Sequence, residues 1–144
     1  MAMEPDIRSK ALGVDPGSVR IGLALSDDIG FMAHPLQTLK TGKESPAEIA
    51  AIAAEKQSKV IVIGLPRNMN GTYGPAAEKS RELASILTTM TQAKVVLWDE
   101  RLTTAMATKQ LHAAGRNSKE QRQLIDRAAA VQILQDWLDA NPAL

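Results

Sequence analysis

The chain has no cysteine, so disulfides, thiolate zinc sites, iron–sulfur clusters and cysteine nucleophiles are excluded. It has only four aromatic residues, Phe31, Tyr73, Trp98 and Trp137, too few for a platform on which successive bases stack. Excess charge is lacking too. Seventeen Lys and Arg against sixteen Asp and Glu leave a formal net charge of +1, which excludes a uniformly polybasic nucleic-acid binder but not a local basic face. No apolar run approaches the ~18 residues a membrane helix needs. The first ten residues are polar and carry acids, unlike a secretory signal, so a cytoplasmic protein with no membrane partner is expected.

The 144 residues suit one domain spanning 1–144, with residues 1–9 loose. Lys10–Val14 is a short apolar run that meets a turn at Asp15-Pro16-Gly17. Ile21–Leu25 and Phe31–Ala33 follow. The links between these runs are too short for a crossover helix, so the three should pair as an antiparallel meander. Ser45-Pro46-Ala47-Glu48 reads as a capping box opening a helix to about Lys56. Val60–Ile63 is apolar on both sides, as in the middle of a parallel sheet. A helix is expected from Pro75 to Met90, with Leu83, Leu87 and Met90 on one face, then a strand over Val95–Trp98. Thr103 or Thr104 should cap a helix that stops at Gly115, and Ser118 should cap a last helix running to about Asp139. The order βββαβαβαα with right-handed crossovers predicts an α/β fold. Its five-stranded mixed sheet has the order 3-2-1-4-5 and is flanked by helices.

That order brings three distant acids to one place. Asp15 ends the first strand and Glu100 lies just beyond the fifth, so both stand at the carboxyl edge, where open α/β sheets bind ligands. Two strand spacings separate them by roughly 10 Å, a gap two side chains can bridge through a shared ion. Asp126 heads an otherwise apolar helical stripe of Ala129, Ala130, Ile133 and Trp137 that should press on the sheet. A buried carboxylate there needs a cation or hydrogen-bond donors. Each acid alone has a plainer reading: Asp15 as a turn residue, Glu100 as an exposed partner of Arg101, Asp126 as a helix-start acid. Together, three carboxylates without a well-placed His suit a hard divalent ion, Mg2+ or Mn2+. Paired ions of that kind activate water and stabilise an in-line phosphoryl displacement.

The same edge supplies donors. The loop Gly64–Gly74 holds glycines, amides and Arg67 ahead of a helix, although a plain strand-to-helix loop has the same composition. Arg20, Arg67, Asn68, Arg101, Thr103 and Arg127 are the candidate nucleic-acid contacts. Arg81, Arg116, Lys119 and Arg122 extend a basic rim that a solvated helix face would explain equally well. His34 and His112 show no ligand spacing, and both tryptophans are expected in the core.

Four stretches resemble the YqgF (RuvX) family, RuvC-like members of the RNase H superfamily. They are Gly13-Val14-Asp15-Pro16-Gly17 with Arg20-Ile21-Gly22, Gly64-Leu65-Pro66 with Asn68-Met69-Asn70-Gly71, Asp99-Glu100-Arg101 with Thr103-Thr104, and Ile125-Asp126 with Ala128-Ala129. They span nearly the whole chain in the family's order. The resemblance implies an RNase H-like fold and a cytoplasmic nuclease in ribosome biogenesis, processing the 5′ end of precursor 16S ribosomal RNA. Holliday-junction resolution is the family's other described activity. By motif matching, the acidic positions fall on Asp15, Glu100 and Asp126. RuvC-type resolvases carry a further acid where this chain has Gly64-Leu65-Pro66 and another where it has Ala129. Those departures leave fewer ligands for a second ion, and Asp99 should point away from Glu100.

The expected partner is nucleic acid, precursor ribosomal RNA or branched DNA, bound by a monomer or homodimer. A catalytically idle RNA-binding or transcription-associated factor is a competing reading. So is a nucleotide-binding module, because Asp15-Pro16-Gly17 also resembles the first phosphate loop of actin-like ATPases.

Overall fold

Three strands form an antiparallel meander: β1 (Ala11–Pro16), β2 (Arg20–Ser26) and β3 (Ala33–Lys40). β4 (Val60–Leu65) and β5 (Lys94–Asp99) continue the sheet parallel to β1, giving the expected order 3-2-1-4-5. The computed structural model describes residues 10–67, 70–99 and 119–140, with side chains in the last segment from residue 127 onward. Its helices are α1 (Ser45–Glu55), α2 (Pro75–Met90) and α3 (Lys119–Ala140). The helix expected between Thr103 and Gly115, and the Ser118 cap, lie outside the described residues.

The β1–β2 turn depends on glycine at position 17. A Cβ on Gly17 would sit 2.2 Å from the Arg20 carbonyl oxygen, so no other residue fits. In the β2–β3 turn, Gly30 takes φ +73° and the Asp27 carboxylate accepts the Phe31 amide at 2.8 Å and the Met32 amide at 3.3 Å. That turn displaces the third strand from its expected place. Phe31 and Met32 stand in the turn, 63% and 57% exposed, and the strand begins at Ala33. β3 tolerates Pro35 because it is a sheet edge, where a missing N–H costs no ladder bond. A register shift at Leu23/Ala24 accommodates it.

Helix α1 also starts differently. Ser45 is inside the helix rather than capping it, and Glu44 occupies the cap position with no side-chain bond. The buried Ser45 hydroxyl instead accepts from the Gly42 amide at 2.8 Å and donates to the Lys40 carbonyl at 3.2 Å, tying α1 to the end of β3. In α2 the buried stripe is Ala77, Ser80, Leu83, Ala84 and Leu87. Met90, expected on that stripe, is the last residue of the helix and is 50% exposed.

Strand alternation divides the core. Leu12, Val14, Ile61 and Ile63 pack under α1 and α2, against Ile49, Ala53, Leu83 and Leu87. Ala11, Val60 and Val62 face the other way, under Ala130, Ile133, Leu134 and Trp137 of α3. With both faces covered, β4 is buried at every position. Gly13 lies on the α3 face, and a Cβ there would fall 2.7 Å from the Leu134 Cβ and 3.0 Å from the Ala130 carbonyl. Its lack of a side chain lets α3 approach the sheet. The Gln135 amide group donates to the Phe31 carbonyl and accepts from the Ala33 amide, both at 2.9 Å. Ala33 pairs with Ser26, whose hydroxyl accepts the Ala11 amide at 2.8 Å. Gln135 therefore sits where β1 begins, and α3 enters from the end where β1 finishes.

Candidate active site at the carboxyl edge of the sheet

Asp15 is the fifth residue of β1 and shares its face with Ala11 and Gly13, the α3 side. It is 2% exposed. Gly22 stands opposite it on β2, and on the other side β4 passes from Ile63, partner of Val14, into Gly64. Glycines on both neighbouring strands keep space beside the carboxylate clear of side chains. Gly64 in turn pairs with Trp98 of β5, which packs on the same face. The Trp98 Nε1 is buried and has no hydrogen-bond partner among the described residues. Arg20 belongs to this row as well, because it alternates with Gly22 and Ala24 on β2.

The second expected ligand is located through the backbone. α3 crosses β1 with Ala130 over Gly13 and runs toward the carboxyl edge in its amino-terminal direction. Position 126 is one turn before Ala130, and Asp15 is two residues beyond Gly13. Both steps lead the same way by about 6 Å. The backbone thus brings position 126 to the Asp15 end of the sheet, while the Asp126 side chain itself lies outside the described residues. Glu100, Asn68, Arg101 and Thr103 lie outside them too, as do Arg116 and the side chains of Lys119 and Arg122. Among the described residues, no group of three His, Cys, Asp or Glu is placed to hold a metal ion.

A different cluster occupies the opposite face of the same edge. Asp99 pairs in register with Leu65, so it points to the α2 side, away from Asp15. It accepts from the Tyr73 hydroxyl at 3.0 Å and from Arg67 Nη1 at 3.3 Å. The Arg67 and Arg81 guanidinium carbons stand 4.7 and 4.8 Å from the Tyr73 ring centroid. Arg67 Nε also donates to the Gly71 carbonyl, where φ is +86°. Arg67 therefore braces the β4–α2 loop. Expected as a phosphate contact, it donates within the fold through Nε to Gly71 and through Nη1 to Asp99. Tyr73 was not singled out by sequence; the one available signal is its position between two arginines at the start of α2. Arg127, on α3 next to position 126, is half-buried, and its Nε has no partner among the described residues.

A 3-2-1-4-5 sheet with an antiparallel meander, two parallel strands and helices on both faces is the RNase H-like architecture of the RuvC-type resolvases. Two solved structures share it. One is Thermus thermophilus RuvC in complex with a Holliday junction substrate (TM-score 0.58, 11% identity, 93% of this chain and 97% of that one). The other is the fowlpox virus Holliday junction resolvase (TM-score 0.54, 12% identity, 92% and 99%). Within this class the chain belongs to the RuvX family, described as Holliday junction resolvase, whose model matches residues 9–140. It is 41% identical over 135 residues to a Bacillus subtilis (strain 168) protein, covering 91% of this chain and 98% of that one. It is 40% identical over 136 residues to one from Bacillus thuringiensis (strain Al Hakam), covering 92% and 99%. Both relatives carry the name "Putative pre-16S rRNA nuclease".

Proposed function

We propose that this protein is a divalent-metal-dependent nuclease that hydrolyses phosphodiester bonds in the cytoplasm, in 5′-end processing of precursor 16S ribosomal RNA. The observation that carries the reading is Asp15. It is a buried carboxylate at the carboxyl edge, flanked by Gly22 and Gly64, with α3 bringing position 126 to the same end. Glu100 follows Asp99 by one residue, and strand alternation would give it the Asp15 face. Asp15, Glu100 and Asp126 are the proposed ligands, an oxygen-only set suited to Mg2+ or Mn2+.

When bound there, such an ion supplies Lewis-acid activation of water and charge stabilisation at the phosphate. The chain's own residues do the rest. Asp15 anchors the site from β1, the central strand of the sheet. The flanking glycines admit a phosphate to within contact distance of the backbone. Arg20, on the same face, is proposed to neutralise the phosphate. Arg127, beside position 126, has the same proposed role, with Asn68, Arg101 and Thr103 completing the nucleic-acid contacts. Arg67 serves as a brace for the loop.

The names of the Bacillus relatives favour ribosomal RNA as the substrate. The family description favours a second reading, cleavage of four-way DNA junctions, which needs two sites on opposed strands and hence a two-fold dimer. One assay tests both. End-labelled precursor RNA and junction DNA are incubated with wild type and Asp15→Asn, with Mn2+ or with chelator. The proposal expects metal-dependent cleavage of the RNA that Asp15→Asn abolishes while still binding it. Cleavage by that variant at the wild-type rate removes the mechanism. Preferential cutting of the junction by a dimer supports the second reading.

A further inference from the structure

On the far side of the β1–β2 turn from Asp15 there is a cavity of about 300 Å³. Its near wall is the turn itself, Pro16, Gly17 and Ser18, and its floor is Ile21 and Leu83 from the core. Pro46, at the start of α1, and Pro75, at the start of α2, provide two further flat apolar walls. Lys79 and Glu82, both exposed on α2, stand at the rim. The Thr41 hydroxyl, also in the lining, donates to the Gly17 carbonyl at 2.8 Å and holds the turn against the β3–α1 connection.

From this geometry we infer that the cavity takes one unstacked nucleobase of the nucleic-acid strand whose phosphate is held at Asp15. The inference rests on the nuclease reading and names how its substrate is gripped. Three features carry it. The cavity is at the small end of ligand pockets, right for a single ring system with its sugar and too small for a length of strand. Its walls are apolar and flat, which suits a base and not a phosphate. Its rim pairs one amine with one carboxylate, a donor and an acceptor for the edge of a splayed-out base. The turn that forms its wall continues directly from Asp15, so a strand crossing the sheet edge there presents a phosphate to one face and an adjacent base to the other. A chain this poor in aromatics has few rings on which to stack a base, and proline rings supply the alternative surface.

The test is a binding scan in chelator, so that no cleavage intervenes. Short single-stranded RNAs of one sequence, each with an abasic site at a different position, are titrated against the full chain. Wild type should lose about tenfold in affinity when one particular base is missing and little at most others. Two variants fill the cavity from exposed positions, Ala76→Trp and Ile86→Trp. Both should bind every RNA alike, with melting temperatures near wild type. A flat abasic profile for wild type overturns the inference. So does discrimination that survives both filled variants, or a free nucleoside monophosphate that binds as tightly as the strand. If the wild-type profile is flat while wild type still cleaves with metal, only the cavity assignment fails. If the profile holds while no cleavage occurs, only the nuclease reading fails.

Discussion

Gly13→Ala probes how the fold sets the site. The added Cβ would lie 2.7 Å from the Leu134 Cβ and 3.0 Å from the Ala130 carbonyl oxygen. Carbon atoms pack at about 3.5–4.0 Å, so α3 must move out by roughly 1 Å. One neighbour is backbone and the other is the first atom of a side chain, so neither can turn aside. Overpacking of this kind costs about 1–3 kcal/mol. In a chain of this length that lowers the melting temperature by about 4–10 °C. The same displacement reaches position 126, one turn away on the same helix, and a misplacement of about 1 Å at a catalytic group costs on the order of 10²-fold in rate. Thermal unfolding, and cleavage of precursor RNA well below both midpoints, separate the two effects. Cleavage should fall far more than the fraction folded. A Gly13→Ala protein with wild-type stability refutes the packing argument. One that is destabilised but cleaves normally refutes the coupling between this contact and the site.

Ser26→Ala leaves the buried Ala11 amide without its 2.8 Å acceptor. It should cost about 1–3 kcal/mol in denaturant unfolding, with cleavage of the folded protein unchanged. Tyr73→Phe removes an exposed hydroxyl bond but keeps the ring between two guanidinium groups. It should lie within about 1 kcal/mol of wild type, whereas Tyr73→Ala, which loses both cation–π contacts, should unfold more readily than Tyr73→Phe in the same measurement. Arg20→Ala should weaken RNA binding similarly for all sequences and lower the slope of log affinity against log salt by about 1, as for loss of one phosphate contact. An unchanged slope removes Arg20 from the interface.

The sheet order was legible because each strand but one is a compact apolar run, and because short links force a meander while helical links force parallel return. β3 escaped that logic. Its residues Pro35, Gln37 and Thr38 carry no apolar alternation, and only the Asp27–Gly30 turn determines where it starts. Ser45 misled for a related reason: a hydroxyl before proline has the composition of a cap, yet it bonds backward to Gly42 and Lys40 rather than forward into α1. At the site, Asp15 could be read from sequence because it ends an apolar strand, and the sense of Asp99 because alternation fixes it. The bracing of Arg67 by Asp99, Gly71 and Tyr73 could not. It joins residues 4, 6 and 32 positions apart, with no periodicity to announce it. Gly13 looked like part of a motif, and its physical reason, the approach of Leu134, is visible only in three dimensions.

The central claim is that a divalent ion is held at Asp15 on the α3 side of the carboxyl edge. Anomalous diffraction from crystals soaked in Mn2+ tests it most directly. The account predicts a manganese peak within coordinating distance of the Asp15 carboxylate, shared with Glu100 and Asp126, and absent from Asp15→Asn crystals soaked in the same way. A protein that cleaves RNA with manganese while the ion sits elsewhere, or while Asp15 stays outside its coordination, would contradict it.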